Sequence, residues 1–205
     1  MGQKISPISN RLSLTKDWSS KWFGRKRDLA NFLHEDLKIR GIVKEKLRSA
    51  GLERVVIERG SGEIRIKIFS SRPGVIIGRS GSGAGELTET LNRMLGKKID
   101  IKIIEVRKPV LSAALQAENI AYQLEKRVSF RKVIGMVMDK IKEAGATGVK
   151  IIVAGRLGGA EIARRETFNF GSVPLSTFRC KIDFAKDIAK TKFGVIGIKV
   201  WIYKK

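Results

Sequence analysis

The sequence predicts an α/β (α+β) chain of two units, each a layer of strands packed on helices. Three observations carry that prediction. Segments with apolar residues at helical spacing alternate with segments apolar at every second position, so helices and strands share a core. A Gly-x-x-G turn, Gly78-Arg79-Ser80-Gly81, separates two helical pieces in the first half. Arg107-Lys108-Pro109 interrupts the pattern near the middle, because proline removes a ladder donor and restricts its neighbour. The boundaries read from this are a basic N-terminal arm over 1–25, a first unit over 26–108 and a second over 109–205. A chain of 205 residues is long enough for two small domains.

The arm has no sustained period. It carries Lys4, Arg11, Lys16, Lys21 and Arg25, with Trp18, Trp22 and Phe23 between them. Its aromatics either tuck onto the neighbouring domain, or the arm orders on RNA with cations on phosphates and a ring on a base. From Asp28, a candidate N-cap, Leu29, Phe32, Leu33 and Leu37 make a helical stripe. Gly41 weakens its middle; Ile42, Val43 and Leu47 continue it to Gly51, a suitable C′ residue. Arg54 to Glu58 is β-rich, Arg59-Gly60-Ser61-Gly62 reads as a turn, and Ile64, Ile66 and Ile68 alternate with Arg65, Lys67 and Phe69. After the Gly-x-x-G turn a helix to Gly96 is expected to bury Leu87, Leu91, Met94 and Leu95. Ile99, Ile101 and Ile103 make a further strand.

The order helix, strand, strand, helix, turn, helix, strand resembles the type II KH domain, an RNA-binding module whose Gly-x-x-G turn clamps the nucleotide backbone. Other phosphate loops do not fit. A P-loop needs Lys and then Ser or Thr after its last glycine, and here Gly85 is followed by Glu86-Leu87. The dinucleotide fingerprint needs Gly-x-Gly-x-x-Gly after a strand; counted from Gly81, its third glycine would be Glu86.

In the second unit Ala117, Ala121, Leu124 and Val128 form one helical stripe. Phe130, Val133, Ile134, Val137, Met138 and Ile141 form a stronger one, with a break at Ser129. Arg131 and Lys132 stand at the start of this second helix, off its apolar stripe. Cations there oppose the helix dipole at roughly a few tenths of a kcal/mol. A solvated face and an RNA-facing role both remain open. Val149, Ile151 and Val153 begin a strand. Phe178, Cys180, Ile182 and Phe184 alternate in another, and Ile196, Ile198, Val200 and Ile202 in a third. Arg156, Arg164, Arg165 and Arg179 are left for solvent or phosphate.

Composition narrows the function. Forty-two Lys+Arg against 20 Asp+Glu give a formal charge of +22, which calls for a polyanionic partner. No apolar run approaches the roughly 20 residues of a membrane span, so nucleic acid is favoured over a membrane. A lone cysteine, Cys180, excludes an internal disulfide framework and suits a reducing cytosol. Catalysis is not indicated. His34, the one histidine, lies in a different unit from Cys180, and Glu161 and Glu166 beside Arg164 and Arg165 read as salt bridges. The chain is read as non-enzymatic, with no cofactor and no metal. A free-standing KH regulator of mRNA and a nucleic-acid-cleaving enzyme are the alternatives.

Nearly the whole chain resembles the bacterial-type family of small-subunit ribosomal protein three. The residues that carry the resemblance are Met1-Gly2-Gln3-Lys4 with Pro7 and Arg11-Leu12; Trp18 with Trp22-Phe23; Arg72-Pro73-Gly74 through Gly81; Glu105 to Pro109; Gly155-Arg156-Leu157-Gly158-Gly159-Ala160-Glu161-Ile162-Ala163-Arg164; Val173-Pro174-Leu175; and Gly194 to Ile202. The resemblance implies a cytoplasmic, ribosome-bound protein in the head of the small subunit, on small-subunit rRNA and beside the channel through which mRNA enters. It implies proteins ten and fourteen as neighbours in the head, and four and five across the channel. The residues expected at RNA are Lys4, Arg11, Arg72, Gly78, Arg79, Ser80, Gly81, Lys108, Arg156, Arg164 and Arg165. Arg127, Arg131 and Lys132 are expected at incoming mRNA. The chain departs from the family pattern at Gly135, where a third basic residue is common. It also departs in the turn, where Arg79 is the single cation, and at Arg165, which replaces a small hydroxyl residue.

Overall fold

A computed structural model describes residues 6–60 and 63–204. They form two compact units. One spans Trp18–Arg107. The other joins Lys108 onward to the N-terminal residues up to Asp17.

In the first unit, strands β1 (Ser20–Lys21), β2 (Leu52–Arg59), β3 (Glu63–Ser70) and β4 (Lys98–Glu105) form a sheet in the order β1-β2-β3-β4. β2 and β3 are antiparallel, whereas β1∥β2 and β3∥β4 are parallel. Three helices accompany it: α1 (Leu29–Lys46), α2 (Pro73–Ile77) and α3 (Ser82–Leu95). α2, the turn and α3 together make the crossover that a parallel β3–β4 pair requires. The core holds Ile39, Val43 and Leu47 with Val55, Ile57, Ile64, Ile66, Ile68, Ile76, Leu87, Leu91 and Ile99.

Two expected stripes shift. Leu29, Leu33 and Leu37 are exposed, and α1 instead buries Asp36, Ile39 and Val43. A hydrophobicity pattern assigns an aspartate to the surface. Here Asp36 accepts from Ser20 Oγ at 2.9 Å, Trp22 Nε1 at 3.0 Å and Arg59 Nε at 3.0 Å, so its burial is satisfied. The same contacts fasten residues 20–22 to α1, and Trp22 meets Phe32 edge-on at 5.6 Å. On α3, Met94 is exposed, because Leu87, Leu91 and Leu95 already fill the face toward the sheet. α1 is continuous through Gly41.

In the second unit, α4 (Ala113–Glu125) and α5 (Phe130–Glu143) lie on one face of a fully antiparallel sheet of β5 (Gly148–Gly155), β6 (Arg164–Gly171), β7 (Lys181–Thr191) and β8 (Gly194–Lys204). The order is β6-β5-β8-β7. α4 packs on β7 and β8, and α5 on β5. Val149, Ile151 and Val153 of β5 and Ile196, Ile198, Val200 and Ile202 of β8 point at the helices. One end of the opposite face carries a smaller cluster, Ile152, Ile182 and Trp201, covered by Val173, Leu175 and Cys180.

The N-terminal segment closes that end. Arg11 is completely buried. Its guanidinium donates to the carbonyls of Cys180 (2.9 Å), Pro7 (3.2 Å), Pro174 (3.3 Å), Leu175 (3.1 Å) and Thr177 (2.9 Å). Residues 177–180 therefore curl as a turn, and the strand expected from Phe178 begins only at Lys181. Lys16 pairs with Asp183 at 2.7 Å, and Asp183 also accepts from the Ala113 N–H and from Lys204. Burial disfavours the Asp183 anion most strongly. The two lysines and the backbone donor together outweigh burial and hold its pKa below the usual carboxylate value.

Candidate nucleic-acid interface

In the first unit the Gly-x-x-G turn is built by its glycines. Gly78 sits at φ 69°, ψ −173° and Gly81 at φ 83°, ψ 4°. The Gly78 combination is essentially restricted to glycine. It reverses the chain after α2 so that Arg79–Gly81 form a short 3-10 turn leading into α3. Gly83 comes so close to α2 that a Cβ there would stand 2.6 Å from the Ile76 carbonyl oxygen. By position, the N–H groups that open this turn have no intrahelical acceptor. Arg72 and Arg79 are exposed beside it. An anionic backbone would therefore meet free N–H donors and two cations. The side chain of Ser80 and all of Lys4 lie outside the described residues.

In the second unit a basic cluster surrounds the start of α5. The α4–α5 connection is a Schellman turn: the Val128 N–H donates to the Gln123 carbonyl at 3.1 Å and the Arg127 N–H to that of Leu124 at 2.9 Å. Its left-handed position, normally glycine, is Arg127 at φ 63°, with an exposed side chain. Arg131 is 71% exposed. Its ion pair to Glu166 is long at 3.8 Å and leaves the guanidinium accessible. Glu166 is held more closely by Arg164 Nε at 3.0 Å. Lys132 is exposed and carries no ion pair among the described residues. Gly135 follows one helical turn later, with nothing within 4 Å of where its Cβ would lie.

The structure brings together Arg127, Arg131 and Lys132, with Arg164 reaching the same side through Glu166. It separates Arg164 from Arg165. In β6 successive side chains alternate, so Arg164 and Glu166 stand on the helix side and Arg165 on the opposite face. Arg156 is braced. Its Nε donates to the Ala160 carbonyl at 2.9 Å and its Nη1 to that of Phe193 at 3.3 Å, tying its loop to the β7–β8 turn. Lys108 is exposed at the connector.

Arg11 is the correction. The sequence reading placed it at RNA. In the structure it has no solvent exposure and its donors are spent on five backbone carbonyls, so it cannot reach a phosphate without unfolding the segment it anchors. Of the arm's aromatics, Trp22 is fastened to α1 and Phe23 is 94% exposed. Among the described residues no group of three His, Cys, Asp or Glu could hold a metal ion, and no helix is long and apolar enough to cross a membrane.

Two family models match: the KH domain over residues 38–111, and the C-terminal domain of ribosomal protein S3 over residues 120–202. Whole-chain relatives agree. Small ribosomal subunit protein uS3 of Caldanaerobacter subterraneus subsp. tengcongensis is 48% identical over 204 residues, covering 100% of this chain and 92% of that protein. The uS3 proteins of Persephonella marina and Coxiella burnetii are each 48% identical, covering 100% of this chain and 90% of theirs. A KH turn with glycine-restricted geometry, followed by a two-helix, four-strand unit, is thus matched from end to end, and the chain belongs to the ribosomal protein S3 family.

Proposed function

We propose that this protein is a structural, non-enzymatic constituent of the small ribosomal subunit in the cytoplasm, where it binds small-subunit rRNA. The observation that carries the reading is the whole-chain match to relatives named small ribosomal subunit protein uS3. The charge of +22 and the two exposed basic sites support it, since neutralising RNA phosphates is where such a surplus is used. The turn at Gly78–Gly81, with Arg72 and Arg79, presents backbone N–H groups and cations to an RNA strand. Lys4, Lys108, Arg156, Arg164 and Arg165 add contacts that fix position rather than sequence. Arg127, Arg131 and Lys132 face incoming mRNA at its entrance to the subunit. Proteins ten and fourteen adjoin it in the head, and four and five lie across the channel.

Gradient sedimentation of cell extract tests the core of this reading. The protein is expected to migrate in stoichiometric amount with the small subunit. A pool that stays at the top of the gradient, with none on the subunit, would overturn it.

A further inference from the structure

The second unit's sheet has a face opposite its helices that is covered only in part. Opposite the helices, the side chains of β7, β8, β5 and β6 align in rows. Lys186 stands beside Lys199, then Ile152 and Thr167. In the next row Ile188 stands beside Gly197, Ala154 and Arg165. Lys190 and Val195 continue beyond. The cover over Ile152, Ile182 and Trp201 begins at Ile152 in the first of these rows and extends over the end of the face away from Ile188. Lys186, Lys199, Lys190, Ile188 and Arg165 are exposed.

The charges of this sheet are sorted. Its strand carboxylates, Glu166, Asp183 and Asp187, pair in register with Val153, Ile202 and Ile198, which puts all three on the helix side. No aspartate or glutamate stands on the opposite face of the four strands, all of which are described. The first unit's sheet provides the contrast. Its outer face mixes Arg65, Lys67 and Lys102 with Glu58 and Asp100, and Lys67 pairs with Glu58 at 2.6 Å. A general excess of lysine therefore does not explain the sorting. Nor does protection of sheet edges, which lysine often serves. Lys199 is on a central strand, directly opposite Lys186, where like charges repel. Gly197 and Ala154 keep the floor between Ile188 and Arg165 low. The cations flank a shallow floor about three strand spacings, or ~14 Å, across.

We infer that this face, through Lys186, Lys199 and Arg165, is a second rRNA-binding surface that seats a phosphodiester backbone. The inference rests on the reading that the protein binds rRNA. It adds two lysines that neither the motifs nor the resemblance pointed to. A polyanion relieves the Lys186–Lys199 repulsion, and no carboxylate of the four strands stands on the same face to repel it.

The test is equilibrium binding of the full chain to small-subunit rRNA across a salt series. The variants are R165Q/K186Q/K199Q and, with the same change in charge, R65Q/K67Q/K102Q on the other sheet. Each lost phosphate contact lowers the log–log salt slope by about 0.7–0.9. The first variant is expected to lose about 2–3 from the slope, and the second less than about 1. Equal losses would reduce the effect to net charge and overturn the site. An unchanged slope for the first variant overturns it as well. If that variant binds rRNA normally but fails to enter reconstituted subunits, the face takes a protein, which also overturns the inference. A wild-type protein that binds rRNA with no salt dependence would sink the proposed function itself. Acylation of wild-type lysines gives a readout without substitution. Lys186 and Lys199 are expected to be protected by bound rRNA, and full reactivity in the complex would count against the surface.

Discussion

Replacing Arg11 by alanine separates a structural arginine from an RNA-binding one. The guanidinium makes five contacts to backbone carbonyls, three of them through Nη2, which has two hydrogens. About four full hydrogen bonds are therefore lost. Each charge-assisted bond is worth about 1.5–3 kcal/mol net, and each buried carbonyl left unpaired costs about 1–3 kcal/mol. Desolvation of the buried cation, which the substitution removes, offsets much of that sum, and water entering the cavity recovers more. A destabilisation of about 3–5 kcal/mol of the second unit is expected. At about 4 °C per kcal/mol this lowers the Tm of that unit by about 12–20 °C. Arg11→Lys keeps the charge but offers donors from one nitrogen where Arg uses three, so it rescues only part of the loss. Calorimetry of the full chain measures this. The salt slope for rRNA, taken below the lowered transition, is expected to match wild type. A loss under about 1 kcal/mol, combined with a slope reduced by about 1, would refute the structural role and return Arg11 to the RNA.

Three further outcomes follow from the same geometry. Gly135→Ala is expected to stabilise the second unit by about 0.5–1 kcal/mol in thermal unfolding, since Gly135 is an exposed helix interior position with open space where a Cβ would stand; a loss of stability would contradict the open space. Asp183 has a folded pKa below its unfolded value, so its contribution is present above the unfolded value near pH 3.9 and is lost as pH falls through the depressed folded value. The stability gap between wild type and Asp183→Asn, by chemical denaturation, should be flat from about pH 5 to 8 and shrink in acid; a gap that does not shrink would remove the Lys16–Asp183–Lys204 cluster from the account. Arg131→Ala with Lys132→Ala is expected to slow translation through structured mRNA more than through unstructured mRNA in a reconstituted system, and equal slowing would detach these residues from mRNA structure.

Most of the fold was legible because strands and helices announce themselves by period. β3, β4, α5 and β8 were readable from their isoleucines and valines within a few residues of their observed ends. The errors share a cause. Arg11, Asp36 and the turn at residues 177–180 depend on buried polar groups whose partners are distant in sequence: Cys180 lies 169 residues from Arg11, and Arg59 lies 23 from Asp36. A local pattern assigns a charged residue to solvent, because burial of a charge is favourable only with a partner, and the pattern does not contain the partner. The leucine stripe on α1 was misread for the same reason. Leu29, Leu33 and Leu37 have the spacing of a core stripe, but the face that α1 buries carries Asp36, Ile39 and Val43.

The candidate interface divides along the same line. The Gly-x-x-G turn and the Arg131-Lys132 pair are local, so sequence reached them. The sheet face is not local. Lys186 and Lys199 are adjacent through the β7–β8 register, and Arg165 joins them through β5, three strands from Lys186. Read along the chain, Arg164 and Arg165 look like one basic step. In the sheet they serve opposite faces, and only one of those faces holds carboxylates. Arg164 spends part of its charge on Glu166, while no carboxylate of the four strands shares the face of Arg165. Two neighbouring arginines should therefore respond differently to neutralisation. Arg165→Gln should weaken rRNA binding through the salt slope alone. Arg164→Gln should also release Glu166 toward Arg131, weakening the proposed contact of that cation with mRNA. If the two variants behave alike in both assays, the alternation of β6 does not organise the binding surface.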